Sequence, residues 1–156
     1  MLKATETKIE NFSEHHLKDV HAIESYSNPT PWRIQTFKKI LAQRSLSFVI
    51  QSEEKLKGFC IASIVLDNCH LQNICVAHQY KRQGLGKRML DTLVIRCQVT
   101  NIRKIILEVR QSNVKAQKFY KDFGFSKIGC RKDYYQLDEE KEDALIMRLP
   151  LQTQFL

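Results

Sequence analysis

The spacing of apolar residues changes along the chain, and each change predicts where one kind of element gives way to another. Alternating or continuous short apolar runs predict strands, because successive side chains of a strand point to opposite faces of a sheet. Such runs lie at residues 4–10, 47–51, 59–66, 70–76, 104–109, 125–135 and 143–149. Seven strands are therefore expected.

Four other segments repeat their apolar residues every three or four positions, which is the spacing of one helix face. We expect these helices to follow Ser13, to follow Trp32, to span residues 84–98, and to run from Asn113 to about Gly124. The helix between the fourth and fifth strands makes a crossover, so these two strands should be parallel and adjacent. The order predicts a mixed α/β sheet with helices on both faces.

Two charged segments are expected to be hairpin loops. Residues 53–58 (EEKLKG) separate the second and third strands, and residues 138–142 (DEEKE) separate the last two. We predict that both segments lie outside the strands, with the acidic residues Asp138, Glu139, Glu140 and Glu142 facing solvent or a basic partner.

The segment from His70 to Arg88 joins an apolar strand to a helix through a basic turn that contains Gly84 and Gly86. The unpaired amides at a helix start, together with the helix dipole, attract anions. Four cationic side chains belong to this turn: Lys81, Arg82, Lys87 and Arg88. The segment therefore predicts a phosphate-binding loop, with a ligand-free basic helix start as the alternative.

Two common phosphate motifs do not fit this turn. The P-loop requires glycine and then serine or threonine where this chain has Lys81 and Arg88, and the dinucleotide motif requires a third glycine where it has Met89. The remaining pattern is Gln/Arg-x-x-Gly-x-Gly/Ala, the pyrophosphate loop of the GCN5-related N-acetyltransferases (GNAT family). Residues 81–86 resemble it, with Lys81 in the first position, where lysine lacks the forked geometry of arginine.

Further motifs resemble the same family: LEVRQSN at 107–113, FYKDFGF at 119–125 and DYY…EDALIM at 133–147. On these motifs and the order of elements, the chain is identified as a member of the GNAT family over essentially its whole length. The resemblance implies the GNAT fold, with a mixed, mostly antiparallel sheet and a central parallel strand pair. The later segments are similar to those of family members that acetylate the N-terminal alanine of a small-subunit ribosomal protein.

The resemblance also implies that acetyl-CoA is the cosubstrate. The backbone of Ile74, Cys75 and Val76 would pair with its pantetheine arm, and Asn113 would hydrogen-bond it. The pyrophosphate would lie on the loop formed by Lys81, Arg82, Gln83, Gly84, Leu85, Gly86 and Lys87. As an alternative, Asn113 is explained as a helix N-cap without any ligand.

The resemblance assigns the general base to Glu108 and the general acid to Tyr120, and it implies direct attack of the amine on acetyl-CoA. Judged from the strand alone, Glu108 could instead be a solvated side chain or a partner of Arg110, and Tyr120 could be core packing. Trp32, Tyr134 and Tyr135 are expected to contact the substrate, although Trp32 could equally be a core residue.

Composition narrows the function. The 156 residues suit a single domain, residues 1–156, and the net charge of +8 is spread along the chain rather than gathered in one arm. We therefore expect no direct nucleic-acid contact. The five cysteines form no zinc-type spacing, so no metal is expected, and no apolar run is long enough to span a membrane. A cytoplasmic monomer is predicted.

Three functions remain open. The first is transfer of acetyl to the N-terminal α-amine, with alanine as the residue, of a ribosomal protein. The second is acetylation of a lysine side chain or a small-molecule amine, since one fold serves many amines. The third is a non-catalytic basic protein that binds RNA or the ribosome, which predicts salt-dependent binding without acetyl transfer.

Overall fold

The computed structural model describes residues 6–152, apart from the side chain of Leu137. The strands are β1 (Lys8–Asn11), β2 (Phe48–Ser52), β3 (Lys55–Val65), β4 (Asn68–Val76), β5 (Lys104–Arg110), β6 (Ser126–Leu137) and β7 (Glu140–Pro150). The helices are α1 (Leu17–Ser27), α2 (Ile34–Leu41), α3 (Leu85–Val99) and α4 (Val114–Phe123). Residues 4 and 5 of the predicted first strand lie outside the described residues.

All seven strands join one sheet in the order β1-β2-β3-β4-β5-β7-β6. Every neighbouring pair is antiparallel except β4 and β5, which are parallel. The crossover through α3 forces this arrangement, as the order of elements predicted. The expected mixed, mostly antiparallel sheet with a central parallel pair is therefore confirmed.

Apolar side chains cover both faces of the sheet. On one face α3 contributes Met89, Leu90 and Leu93 to the larger core, and residues of α4 pack against that core. On the other face Val20 of α1 and Phe37 of α2 are fully buried against the strands. Helices on both faces are thus confirmed, since each face must be shielded from water.

Both hairpin loops are shorter than the charge pattern predicted. The β2–β3 turn consists of Glu53 and Glu54, whose positive φ values of 51° and 62° suit a two-residue hairpin. The β6–β7 turn is formed by residues 138–139, and Glu140, Lys141 and Glu142 pair with β6. Backbone pairing continues through charged residues because their side chains can stay in water while the ladder is completed.

The parallel pair separates part of the way along the sheet. Backbone pairing between β4 and β5 extends from Asn68–Lys104 to Leu71–Leu107. Beyond that point β4 stays paired with β3 through Val76, while β5 stays paired with β7 through Arg110. The two central strands therefore diverge into a cleft, and the predicted site residues lie around it.

Candidate active site

The β4 side of the cleft presents an open backbone edge. The Ala77 amide donates to the Lys57 carbonyl of β3 at 2.8 Å, and the Cys75 carbonyl also faces β3, near Gly58. Backbone groups alternate between the two sides of a strand in such a ladder. The N–H and C=O groups of Ile74 and Val76 therefore point into the cleft.

An edge of this kind accepts an extended ligand as an added strand. Of the three residues expected to pair with the pantetheine arm, only Ile74 and Val76 offer backbone groups to the cleft. The backbone of Cys75 is turned toward β3 and pairs with Phe59 there. That part of the expectation needs correction, because alternation prevents three consecutive residues from facing one side.

The turn before α3 has the backbone of an anion-binding helix start. Gly84 is the N-cap and has the left-handed angles φ 76° and ψ 13°, which favour glycine. The Arg88 amide donates to the Gly84 carbonyl at 3.1 Å, so the amides of Leu85, Gly86 and Lys87 precede the first helical bond. A Cβ built on Gly84 meets no atom within 4 Å, so the backbone is open to a ligand on that side.

Gly86 has a different reason to be glycine. A Cβ at this position would lie 3.1 Å from Cζ of Phe119, a contact that is too tight without movement. The residue therefore lets α3 approach α4.

Of the four cations around the turn, Lys87 pairs with Asp91 at 3.0 Å and Arg88 donates to the Thr7 carbonyl at 2.9 Å. The side chains of Lys81 and Arg82 are exposed beside the open backbone, as is Gln83.

Glu108 is the first residue of β5 beyond its last pair with β4, and only 9% of its side chain is exposed. Its Oε2 lies 2.5 Å from Nε2 of His70 on β4, and its Oε1 lies 3.8 Å from Nη2 of Arg131 on β6. The hydrogen bond with His70 is the main reason that the pKa of Glu108 is lowered, although burial opposes it. Glu108 is therefore neither solvated nor paired with Arg110.

Tyr120 lies on α4, on the opposite face of the sheet from the His70–Glu108 pair. Its ring packs against Phe119 and Phe125, so it belongs to the core as the alternative suggested. Burial raises the pKa of Tyr120 far above its usual value, and negative charge on Cys60, Tyr135 or Cys75 would raise it further. The phenol therefore stays protonated near neutral pH, which suits a proton donor and excludes a base.

Between the α1–α2 connection and the β6–β7 hairpin the surface forms a groove. Trp32 lies on the α1–α2 side of this groove. Its ring packs on Phe37 with the centroids 5.2 Å apart, and its backbone amide donates to the Glu24 carboxylate at 3.3 Å. That carboxylate is 1% exposed and also accepts from Nδ2 of Asn73 at 2.7 Å. Glu24 therefore links the α1–α2 connection to β4 by hydrogen bonds. Because its ring packs on Phe37 and is only partly exposed, Trp32 is a packing residue.

A cavity of about 410 Å³ lies on the β6–β7 side, lined by residues that include Arg110, Tyr135 and Glu142. The Arg110 guanidinium lies 4.2 Å from the centroid of the Tyr135 ring and donates to Thr30 Oγ1 at 2.6 Å. It also lies 3.4 Å from a carboxylate oxygen of Glu142. Arg110 thus contacts the α1–α2 connection through Thr30, β6 through Tyr135 and β7 through Glu142.

The two tyrosines expected on the substrate side stand together. Tyr134 is 45% exposed, and its ring centroid is 5.0 Å from that of Tyr135 in an edge-on arrangement. Burial is the main cause that raises the pKa of Tyr135 to about 12. Glu142 accepts from the Ser112 amide at 2.7 Å. Hydrogen bonding from the side chain and the backbone of Ser112 is the main reason that the pKa of Glu142 is lowered, and Arg110 lowers it further. Part of the acidic segment is therefore committed to internal contacts.

Asn113 is the N-cap of α4, and its side chain accepts from the Ala116 amide at 3.2 Å. The capping alternative for Asn113 is therefore correct, and any contact with a ligand would come in addition. The residue lies directly after β5, three positions from Arg110, so it stands at the end of the cleft.

One group of potential metal ligands occurs in the described part of the chain: Glu10, His15 and His16. The Ser13 amide donates to Nδ1 of His16 at 3.0 Å, so the neutral ring carries its proton on Nε2. That protonated nitrogen lies 3.6 Å from a carboxylate oxygen of Glu10 and offers no lone pair to a metal ion. The same residues, 6–152, contain no helix long and apolar enough to cross a membrane.

Comparison with known proteins agrees with the geometry. The model of the acetyltransferase (GNAT) family matches residues 9–125. The [ribosomal protein bS18]-alanine N-acetyltransferase of Escherichia coli K12 is 36% identical over 135 residues, which cover 86% of this chain and 91% of that protein. The Haemophilus ducreyi protein of the same name is 33% identical over 144 residues, 92% of this chain and 99% of its own.

A solved structure gives the same result. The crystal structure of the ribosomal-protein-S18-alanine N-acetyltransferase from Escherichia coli superposes with a TM-score of 0.89 and 33% identity, and the match covers 96% of this chain and 97% of that chain. The family model covers most of the chain, and these relatives match it nearly end to end. The chain therefore belongs to the GNAT family of acetyltransferases.

Proposed function

We propose that the protein transfers the acetyl group of acetyl-CoA to the α-amine of the N-terminal alanine of a ribosomal protein. The observation that carries this proposal is the position of Glu108. A nearly buried carboxylate stands where β4 and β5 begin to separate, on the sheet face flanked by the α1–α2 connection and the β6–β7 hairpin. The names of the relatives from Escherichia coli and Haemophilus ducreyi support the choice of substrate.

The residues of the cleft fit acetyl-CoA as the cosubstrate. The open backbone edge at Ile74 and Val76 suits the amides of an extended pantetheine arm. The amides before the first bond of α3, the room beside Gly84 and the exposed cations Lys81 and Arg82 suit a pyrophosphate. We expect Asn113 to add a hydrogen bond where the arm leaves the cleft.

The reaction needs a proton to leave the amine and another to reach the leaving thiolate. An α-amine has a pKa of about 7.7–8.0, so near neutral pH a large fraction must lose its proton before it can attack. Glu108 remains ionised and serves as the base, directly or through water. The inward-facing amide of Val76 would stabilise the oxyanion, and Tyr120 would donate a proton to the coenzyme A thiolate.

The groove suits a peptide terminus. Trp32 on one side, and Tyr134 and Tyr135 on the other, provide aromatic walls. Acidic residues of the β6–β7 hairpin, Asp138, Glu139 and Glu140, would attract a basic ribosomal-protein tail although the protein as a whole is basic. We expect the enzyme to act as a monomer in the cytoplasm, where its ribosomal substrate is made.

The test uses a basic peptide that begins with alanine and contains an internal lysine. Incubation with enzyme and acetyl-CoA, followed by fragmentation mass spectrometry, shows which nitrogen gains the acetyl group. Acetyl on the α-amine supports the proposal. Acetyl on lysine alone would favour the side-chain alternative, and salt-dependent RNA binding without transfer would favour the non-catalytic one. The Glu108→Gln variant tests the base, with Glu53→Gln on the exposed β2–β3 turn as a charge-matched control.

A further inference from the structure

His70 is the unexpected neighbour of the candidate base. It lies within the paired part of β4, opposite Ile106 of β5, and its side chain points to the same sheet face as Glu108. Nε2 of His70 and Oε2 of Glu108 are 2.5 Å apart, so this ring nitrogen carries the proton toward the ionised carboxylate. The neutral ring then has its lone pair on Nδ1.

The two members of the pair differ in their access to solvent. The His70 side chain is 30% exposed, whereas that of Glu108 is 9% exposed. Nδ1 of His70 hydrogen-bonds to no protein atom within residues 6–152, while Glu108 has His70 on one oxygen and Arg131 near the other. The imidazole is therefore the more exposed member of the pair, and its Nδ1 has no protein partner there.

An imidazole is in general a better proton acceptor for an amine than a carboxylate is. Reference pKa values are about 7.7–8.0 for an α-amine, about 4.3 for a glutamic acid and about 6.5 for an imidazole. Moving a proton from an α-ammonium to an ordinary carboxylate is thus unfavourable by a factor of about 3,000, and to an ordinary imidazole by about 20. The contacts of Glu108 lower its pKa further, so as a lone acceptor it is still less suited to an amine.

We propose that His70 and Glu108 act as one proton-accepting unit, in which Nδ1 of His70 takes up the amine's proton through water and Glu108 holds the ring. The α-ammonium loses one proton, water carries it, and Nδ1 gains it, while Nε2 keeps its own proton and its bond to Glu108. The pair passes from a net charge of −1 to zero, and the carboxylate stabilises the imidazolium that forms. This inference rests on the proposed function and refines the role of Glu108 within it.

The test is chemical rescue of His70→Ala, measured as kcat with saturating acetyl-CoA and the alanine peptide. We expect kcat to fall about 10²-fold, the melting temperature to stay within a few degrees of wild type, and added imidazole to restore activity in proportion to its neutral form. His21→Ala, on α1, is the matched histidine control. His70→Gln, which keeps a donor for Glu108 but accepts no proton, should be as impaired as His70→Ala.

Two results would overturn the inference. Activity of His70→Ala within twofold of wild type would make His70 dispensable, and full activity of His70→Gln without imidazole rescue of His70→Ala would make it a positioning residue alone. A failure of the proposed function looks different, because the wild type itself would leave the peptide unmodified. In that case the ring ¹⁵N shifts still decide: the inference requires a protonated Nε2 and an unprotonated Nδ1 at pH 8, and the reverse tautomer contradicts it.

Discussion

Gly84 gives a sharp test of the loop that begins α3, because its left-handed backbone and its open surroundings make separate predictions. At φ 76° and ψ 13°, alanine would bear the cost of a left-handed conformation, about 1–2 kcal/mol. The added Cβ meets no atom within 4 Å, so strain is the whole expected cost in the free protein. For a chain of this size that is a loss of roughly 2–8 °C in melting temperature.

The measurement is urea unfolding of Gly84→Ala beside Gly129→Ala. Gly129 has no left-handed φ, and its Cβ would lie at an ordinary 3.7 Å from Cδ1 of Ile146, so this control should be nearly neutral. Gly84→Asn should recover part of the loss, since asparagine tolerates the left-handed region better than alanine. If Gly84→Ala were as stable as Gly129→Ala, the backbone angle would not be the reason for glycine here.

Gly84→Ala should also weaken the binding of acetyl-CoA. Its methyl group would stand on the side where we expect the pyrophosphate to approach, so we predict a rise in Kd of at least about tenfold, roughly 1.4 kcal/mol. Isothermal titration calorimetry measures this directly. Gly129→Ala should bind as the wild type does, and an unchanged Kd for Gly84→Ala would move the pyrophosphate away from this loop.

Three further predictions concern the groove and the chemistry. Arg110→Ala, which removes the links to Thr30 and Glu142, should raise KM for the peptide about tenfold but not KM for acetyl-CoA, and steady-state kinetics with each substrate varied will show it. Tyr120→Phe removes the hydroxyl that would donate the proton, so kcat should fall by about 10² or more. Because the buried ring is kept, thermal melting should change little. Enzyme incubated with acetyl-CoA alone should keep its intact mass, because direct attack forms no acetyl-enzyme; a mass increase would contradict it.

Much of the fold followed from local signals. The change from period two to period 3.6 located the strands and helices, and the helix between two apolar strands required the parallel pair β4–β5. The charge pattern predicts longer loops at residues 53–58 and 138–142 than the structure has. In a hairpin, charged side chains on the exposed side do not interrupt the ladder, so β3 begins at Lys55 and β7 at Glu140.

The candidate site was predictable where it depends on motifs and not where it depends on partners distant in sequence. Gly84 and Asn113 follow from the chemistry of helix starts. The partner of Glu108 did not, because His70 lies 38 positions away and meets it only once β4 and β5 adopt their register. A signal existed: His70 interrupts the apolar part of one central strand as Glu108 interrupts the other, and parallel neighbours bring such residues together.

Glu24 and Arg110 were missed for a similar reason. Glu24 reads as a polar position of an amphipathic helix, yet it is buried and accepts from Asn73, 49 positions away. Arg110 reads as the charged end of a strand, yet it reaches Thr30, 80 positions away. Side chains with several donors or acceptors can satisfy distant segments, and only the folded register determines which segments these are.

The central claim, acetyl transfer to an N-terminal amine by a base at the mouth of the β4–β5 cleft, is tested most directly by site-resolved mass spectrometry. An alanine-initiated basic peptide with an internal lysine is treated with acetyl-CoA and either the wild type or Glu108→Gln. We predict acetyl on the α-amine with the wild type and a loss of at least about 10²-fold in rate with Glu108→Gln. Acetylation of lysine alone, or an undiminished rate in Glu108→Gln, would contradict it.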